Sequence, residues 1–138
     1  MRSRARWGDG MNLIKQFAEH IEFLGFGTVA NEDHAGDIFW AWMPDTPDDC
    51  ICIYSSDSAY AGADNGARVQ MMVRGKTPAS AYERSQAIVE ALAEYEGYLA
   101  GDGARVYIDV VNASVGLGGD ARKREVFSSN FRVYYCDT

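Results

Sequence analysis

One junction narrows what this chain can fold into. Residues 67–74 read Ala-Arg-Val-Gln-Met-Met-Val-Arg, and Thr77-Pro78 then opens an amphipathic run. Alternate side chains of a strand point to opposite faces. Val69, Met71 and Val73 therefore form one face, and Arg68, Gln70, Met72 and Arg74 the other. Thr77 is a good N-cap, and Pro78 suits the first helical position, where its missing N–H is harmless. The helix is expected to run to about Tyr95, with a stripe of Ala81, Ile88, Val89 and Leu92 beside Tyr82 and Ser85, and with Gly97 ending it. The strand passes straight into the helix through Gly75-Lys76 and leaves no loop between them.

Other segments are built around this junction. Leu13, Ile14, Phe17, Ile21 and Leu24 recur at helical spacing, and Gly25 and Gly27 follow as stop signals. Strands are expected at 27–30, 37–43, 50–54, 105–113 and 124–136. By parity Trp40 and Trp42 share a face, as do Cys50 with Cys52, and Phe127, Ser129, Phe131, Val133 and Tyr135. Pro44-Asp45-Thr46-Pro47-Asp48-Asp49 reads as an acidic turn-rich loop, 55–65 as a surface loop or lid, and 114–123 as a glycine-rich loop. Strands outnumber helices and arrive in runs. The expected fold is α+β: a single domain with a mostly antiparallel or mixed sheet and both main helices packed on one face.

At 138 residues the chain is one domain's worth. Residues 1–10 hold three arginines, one tryptophan and no periodicity; they read as a flexible tail or an upstream start, with 11–138 as the domain. The chain has 13 basic and 20 acidic residues, a net charge of -7 and a pI near 4.7. Without residues 1–10 the balance is 10 basic against 19 acidic, so the acidity belongs to the body. Such a surface is a poor partner for nucleic acid or anionic lipid. Neither a membrane span nor a secretory leader is read in the sequence. Three cysteines are too few for a disulfide scaffold and fit reduced thiols.

Two motifs imitate nucleotide sites and fail on chemistry. Arg74-Gly75-Lys76-Thr77 resembles the end of a phosphate loop, but the glycine needed five residues before Gly75 is Gln70, in mid-strand. Gly116-Leu117-Gly118-Gly119-Asp120-Ala121 fits a dinucleotide spacing, but the helix that would hold a pyrophosphate does not follow it. Cys50, Cys52, Cys136 and His34 lack the paired spacing of a zinc site. His20 and His34 sit in no recognisable catalytic context, although an enzymatic reading would draw on His34 or Cys52 with nearby carboxylates. Catalytic, cofactor-binding and metal-binding residues are therefore assigned to none. Arg122-Lys123-Arg124 is the dense basic run of the body. It suits a solvated loop, or a salt-bridging contact with Asp45–Asp49 of another copy.

Four segments in this order carry a likeness. They are the helix ending Leu24-Gly25-Phe26-Gly27; Ile38-Phe39-Trp40-Ala41-Trp42-Met43-Pro44 with its Pro-x-x-Pro loop; Val69–Thr77 with the helix Ala81-Tyr82 to Leu92; and Gly119-Asp120-Ala121-Arg122 leading to Phe127–Tyr134. From Met11 to Tyr135 the chain resembles the minor capsid or tail terminator (tail completion) proteins of bacteriophages and prophages. Gln70, Arg74 and Asn130 fall at positions that look typical of that family.

The resemblance implies a virion assembly protein and not an enzyme, with no cofactor. It implies a homohexameric ring that caps the tail tube, ends its polymerisation and joins tail to head. The partners it implies are other copies, tail-tube proteins and head-connector proteins, with no membrane and no specific nucleic-acid binding. The setting it implies is a virion assembled in the host bacterial cytoplasm. Asp45, Asp48, Asp49, Arg74, Arg122, Lys123 and Arg124 are the residues assigned to a subunit interface. Another head–tail connector, a tail-tube-like protein and a small-molecule-binding or enzymatic domain are the alternatives.

Overall fold

The computed structural model describes residues 10–55 and 66–136. The tail expected at 1–10 falls outside these residues up to position 9, and so does most of the expected 55–65 loop. Helix α1 spans Gly10–Phe23, β1 Ile38–Trp40, β2 Cys50–Ser55, β3 Ala67–Gly75 and α2 Pro78–Leu92. β4 spans Glu96–Tyr98, a 3-10 turn Leu99–Gly101, β5 Arg105–Gly119 and β6 Glu125–Tyr135. The strands form one six-stranded sheet in the order β1-β2-β3-β6-β5-β4. β1 runs parallel to β2, and the other neighbouring pairs are antiparallel. This is the α+β domain with a mixed sheet expected from the sequence.

Parity decides where the core lies. Ile51 and Ile53 on β2, Val69, Met71 and Val73 on β3, Phe131 and Val133 on β6, and Val106 and Ile108 on β5 are all buried in one cluster. Ile14, Phe17 and Ile21 of α1 and Ile88 and Leu92 of α2 belong to the same cluster, so both helices cover this face. Phe17 and Phe131 meet at its centre, with ring centroids 5.4 Å apart. Helix α1 ends as Gly25 predicts. Gly25 has φ 93, Phe26 N–H donates to Ile21 O, and Gly25 N–H donates to Glu22 O, which closes the last turn. Thr77 caps α2 by accepting from Ser80 N–H at 3.1 Å.

Several boundaries differ from expectation, each for a local reason. The expected strand at 37–43 stops at Trp40, because Ala41 has φ 77 and its N–H turns to Ile53 O. Trp40 then packs against the main core, whereas Trp42 packs on Phe39, so the two tryptophans do not share a face. The expected 27–30 strand is a single parallel bridge between Val29 and Ile38. Helix α2 ends at Leu92 and not near Tyr95; Ala93 already has ψ 126, Glu94 has φ 59, and Gly97 lies in β4. The glycine-rich loop expected at 114–123 is mostly strand: β5 continues to Gly119, with register shifts, and the turn shrinks to Asp120–Arg124.

Candidate functional site

The helix-free face of the sheet carries the charged residues that the sequence singled out. Arg74 is opposite Cys50 on one side and Val126 on the other, so all three point to this face. The chain leaves β1, crosses this face as the 41–49 segment and re-enters at β2. Beneath it lie Phe39, Cys50 and Cys52, a second and smaller apolar cluster.

Arg74 holds that crossing segment in place. It is 5% exposed, and its guanidinium donates to four backbone carbonyls: Pro44 at 2.8 Å, Pro47 at 2.7 Å, Asp48 at 3.2 Å and Asp45 at 3.3 Å. Planar, always-charged and multiply donating, a guanidinium suits this task as an ammonium does not. Between Thr46 and Pro47 the peptide is cis.

Arg124 fixes the other side of the same loop. Its Nε donates to Asp120 Oδ2 at 2.8 Å, its Nη2 pairs with Asp45 Oδ1 at 3.0 Å and its Nη1 with Asp48 Oδ1 at 3.3 Å. Arg124 Nη1 also donates to the Asp45 carbonyl, and Arg122 pairs with Asp45 Oδ2. Asp120 shapes the turn that presents these arginines. Its Oδ1 accepts from the N–H groups of Arg122 at 2.9 Å and Arg124 at 2.8 Å. Those bonds, with the Arg124 side chain, hold the Asp120 carboxyl down to about 2. Asp45 is also held below its ordinary value, chiefly by its bond from Arg124.

Five of the seven assigned residues thus form one cluster: Asp45, Asp48, Arg74, Arg122 and Arg124. Asp49 lies beside it and accepts from Lys76 N–H at 3.1 Å, which ties the loop to the start of α2. Lys123 stands apart on the exposed turn, at φ 64. The basic run therefore meets the acidic loop inside one chain. Sequence reasoning named no role for Asp120, whose position four residues before Arg124 was the available signal.

Gln70 and Asn130, noted for their typical positions, lie opposite one another on this face. Gln70 Nε2 donates to Ser128 Oγ at 3.0 Å, and Asn130 Nδ2 donates to Asn112 Oδ1 at 3.0 Å. His34 and Cys52 do not meet. The His34 ring packs edge-on to Trp42, and Cys52 Sγ donates to Trp42 O at 2.8 Å. Burial pushes the Cys52 thiol up to about 11 and also raises that of Cys50, so both are thiols at neutral pH and weak nucleophiles. Among the described residues, no three His, Cys, Asp or Glu side chains are grouped to hold a metal ion. No helix among them is long and apolar enough to cross a membrane.

The sequence model of a family described as bacteriophage tail terminator protein matches residues 21–135. The chain belongs to the bacteriophage tail terminator family. The match takes in both the acidic loop and the Arg122–Arg124 turn, and covers α2 and every strand of the sheet. A tail terminator is a structural component of the virion and works among other tail proteins. No curated protein matches the chain. One solved structure, 17% identical, covers 74% of this chain and 82% of its own, with a TM-score of 0.41.

Proposed function

We propose that this tail terminator closes into a ring on the end of the tail tube, stops tube polymerisation and offers the head connector a surface to join. Its role is structural and not enzymatic, and its assembly takes place in the host cytoplasm. The observation that supports this reading best is the family match over residues 21–135, which spans the whole sheet and the charged cluster. The cluster adds a physical reason. Five ionised or hydrogen-bonded side chains lock an irregular loop onto the sheet, so the subunit presents a fixed surface and loses little entropy when it docks. In this reading Asp45, Asp48, Asp49, Arg74, Arg122, Lys123 and Arg124 set the shape of a surface used between subunits. A net charge of -7 suits a lumen that lets DNA pass without sticking.

The test is reconstitution. Tail-tube subunits polymerised with the purified protein should give tubes of limited length with a closed ring at one end in negative stain. Open stacks built from this protein alone are the result expected of a tube subunit, and unlimited tube growth in its presence would refute the capping role.

A further inference from the structure

Two apolar features lie at opposite edges of the sheet. The first is an arm, the distal half of the β5–β6 hairpin. β4 pairs with β5 only over Arg105–Tyr107, so beyond that stretch the outer edge of β5 has no strand partner among the described residues. Val111, Val115 and Leu117 are 45%, 48% and 55% exposed along it. Exposed edges in soluble proteins are blunted by charge, proline or bulges; residues 110–119 contain neither charge nor proline, although the charged Asp109 precedes them and their pairing with β6 shifts register.

The arm is held at both ends. Ser114 N–H donates to Ser129 Oγ at 2.8 Å, and Ser114 Oγ donates to Gln86 Oε1 at 2.8 Å and lies 2.8 Å from Ser85 Oγ on α2. The Arg124–Asp120 pair closes the far turn. Val115 and Leu117 are therefore presented on fixed backbone, and little order is lost when they are covered.

The second feature is a hollow of about 360 Å³ at the β1 edge, walled by Phe39, Trp40, Trp42 and His34, with Glu32 at its rim. Its outer wall is preformed. Asn31 Oδ1 accepts from Asp33 N–H at 2.8 Å and Ala35 N–H at 3.0 Å, which turns the chain so that His34 sits against Trp42. A wider concavity beyond Trp40 continues the rim with Glu19, Glu32 and Asp33 against Lys15. The arm's turn carries the exposed cation Lys123. Apolar side chains with a cation beyond them face, in chemical terms, an aromatic hollow with carboxylates beyond it.

Val115 and Leu117 on β5 and the hollow on β1 are four strand spacings apart in the sheet, about 19 Å, while the Arg122–Arg124 turn at the arm's tip is docked on Asp45 and Asp48 of its own subunit. Different patches at opposite edges make a head-to-tail contact, the kind that generates rings when the rotation closes. We propose that Val115 and Leu117 of one copy enter the Phe39–Trp40–Trp42 hollow of the next, with Lys123 set against Glu32 and Asp33. Copies of an acidic chain repel one another, and the stretch without charge at 110–119 lets them approach at that edge. This contact deepens the ring reading above, and it names the surfaces that would make the ring.

The test uses the native chain. Nitrogen-15-labelled and unlabelled protein are mixed at rising concentration, treated with a zero-length carbodiimide and digested. Mixed-isotope peptides joining Lys123 to Glu32 or Asp33 are expected. Leu117→Asp and Val115→Asp, which alter exposed side chains, should keep the circular dichroism spectrum and weaken self-association by more than about tenfold. Leu117→Met should associate as the wild type does. Assembly with cross-links only at other surfaces, or Leu117→Asp associating normally, overturns the arm-in-hollow contact and leaves the terminator reading standing. The absence of any inter-copy cross-link at every concentration also overturns the contact. Rings that form through this contact but never cap tubes would sustain it and remove the terminator role.

Discussion

Arg124 and Asp45 lie 79 residues apart in the sequence and 3.0 Å apart in space. The pair staples the β5–β6 turn to the loop between β1 and β2. Three carboxylates, those of Asp45, Asp48 and Asp120, converge on one guanidinium that is 7% exposed. The turn and the loop therefore share one electrostatic fate.

The acid limb of stability should report this. Asp120 titrates near 3.8 when unfolded and near 2 when folded. A depressed carboxyl contributes its full stability above the unfolded value, and that contribution is lost as pH falls from about 4 to about 2. Asp120→Asn keeps an oxygen for the turn N–H groups and removes the charge. The variant should melt below the wild type at pH 7, and the difference should shrink as pH approaches 2. Thermal melts across pH 2–7 check it, and an unchanged gap at pH 2 would show that the charge plays no part.

Arg74 should matter more to stability than to surface charge. Its removal takes a donor from four carbonyls; that of Asp45 keeps Arg124 Nη1, and that of Pro44 is buried. Hydrogen bonds to a charged group contribute roughly 1.5–3 kcal/mol each before relaxation, and water can re-enter the exposed part of this loop. A net loss of about 3 kcal/mol is expected for Arg74→Ala. Arg74→Lys should recover only part of it, because one ammonium cannot span the same arc of acceptors. Urea unfolding measures both, and a full recovery with lysine would mean that charge alone suffices.

Periodicity made the central strands and both helices legible. Val69, Met71 and Val73, and Ile88 with Leu92, are buried where alternation and helical spacing put them. The cluster was legible in its members and not in its connectivity. Nothing in the spacing of Arg124 and Asp45 reveals whether they pair within a chain or between chains, since long-range pairing is set by the order of strands in the sheet. The errors have local causes. Ala41, Glu94 and Lys123 adopt positive φ without being glycine, so the bends at Ala41 and Glu94 that end β1 and α2 carry no compositional flag. β5 overran its expected end because glycines at 116, 118 and 119 signal a loop, yet Gly116 and Gly119 pair with Phe127 and Glu125.

Cysteine reactivity offers a direct check on the covered face. Cys50 and Cys52 are buried beneath the 41–49 segment with raised thiol values, while Cys136 is half-buried near the end of β6. Native protein should show one fast thiol toward a maleimide, mapping to Cys136, and two slow ones. Arg74→Ala should release the covering loop and speed Cys50 and Cys52 toward the rate of Cys136. Equal slow rates in that variant would show that the loop stays down without its arginine.

His20 provides a second, separate pH response. The side chain is 1% exposed, packed between Phe23 and Tyr95, and its Nδ1 accepts from Ala100 N–H at 2.8 Å. That bond joins α1 to the 3-10 turn, where Ala100 is held at φ 52. Burial lowers the His20 value from 6.5, so the folded state prefers the neutral ring. A base with a depressed folded value contributes stability that is fully present above 6.5 and is lost as pH falls from there toward that value. Protonation also converts Nδ1 from acceptor to donor and sets it against the Ala100 N–H. The wild type should therefore lose stability as pH falls below 6.5, before Asp120 titrates. His20→Phe removes the titration and orphans the Ala100 N–H, at a cost of about 1–3 kcal/mol at pH 7.5. Its melting temperature should be flat over the interval in which the wild type declines, and parallel pH curves for the two proteins would assign the decline to another group.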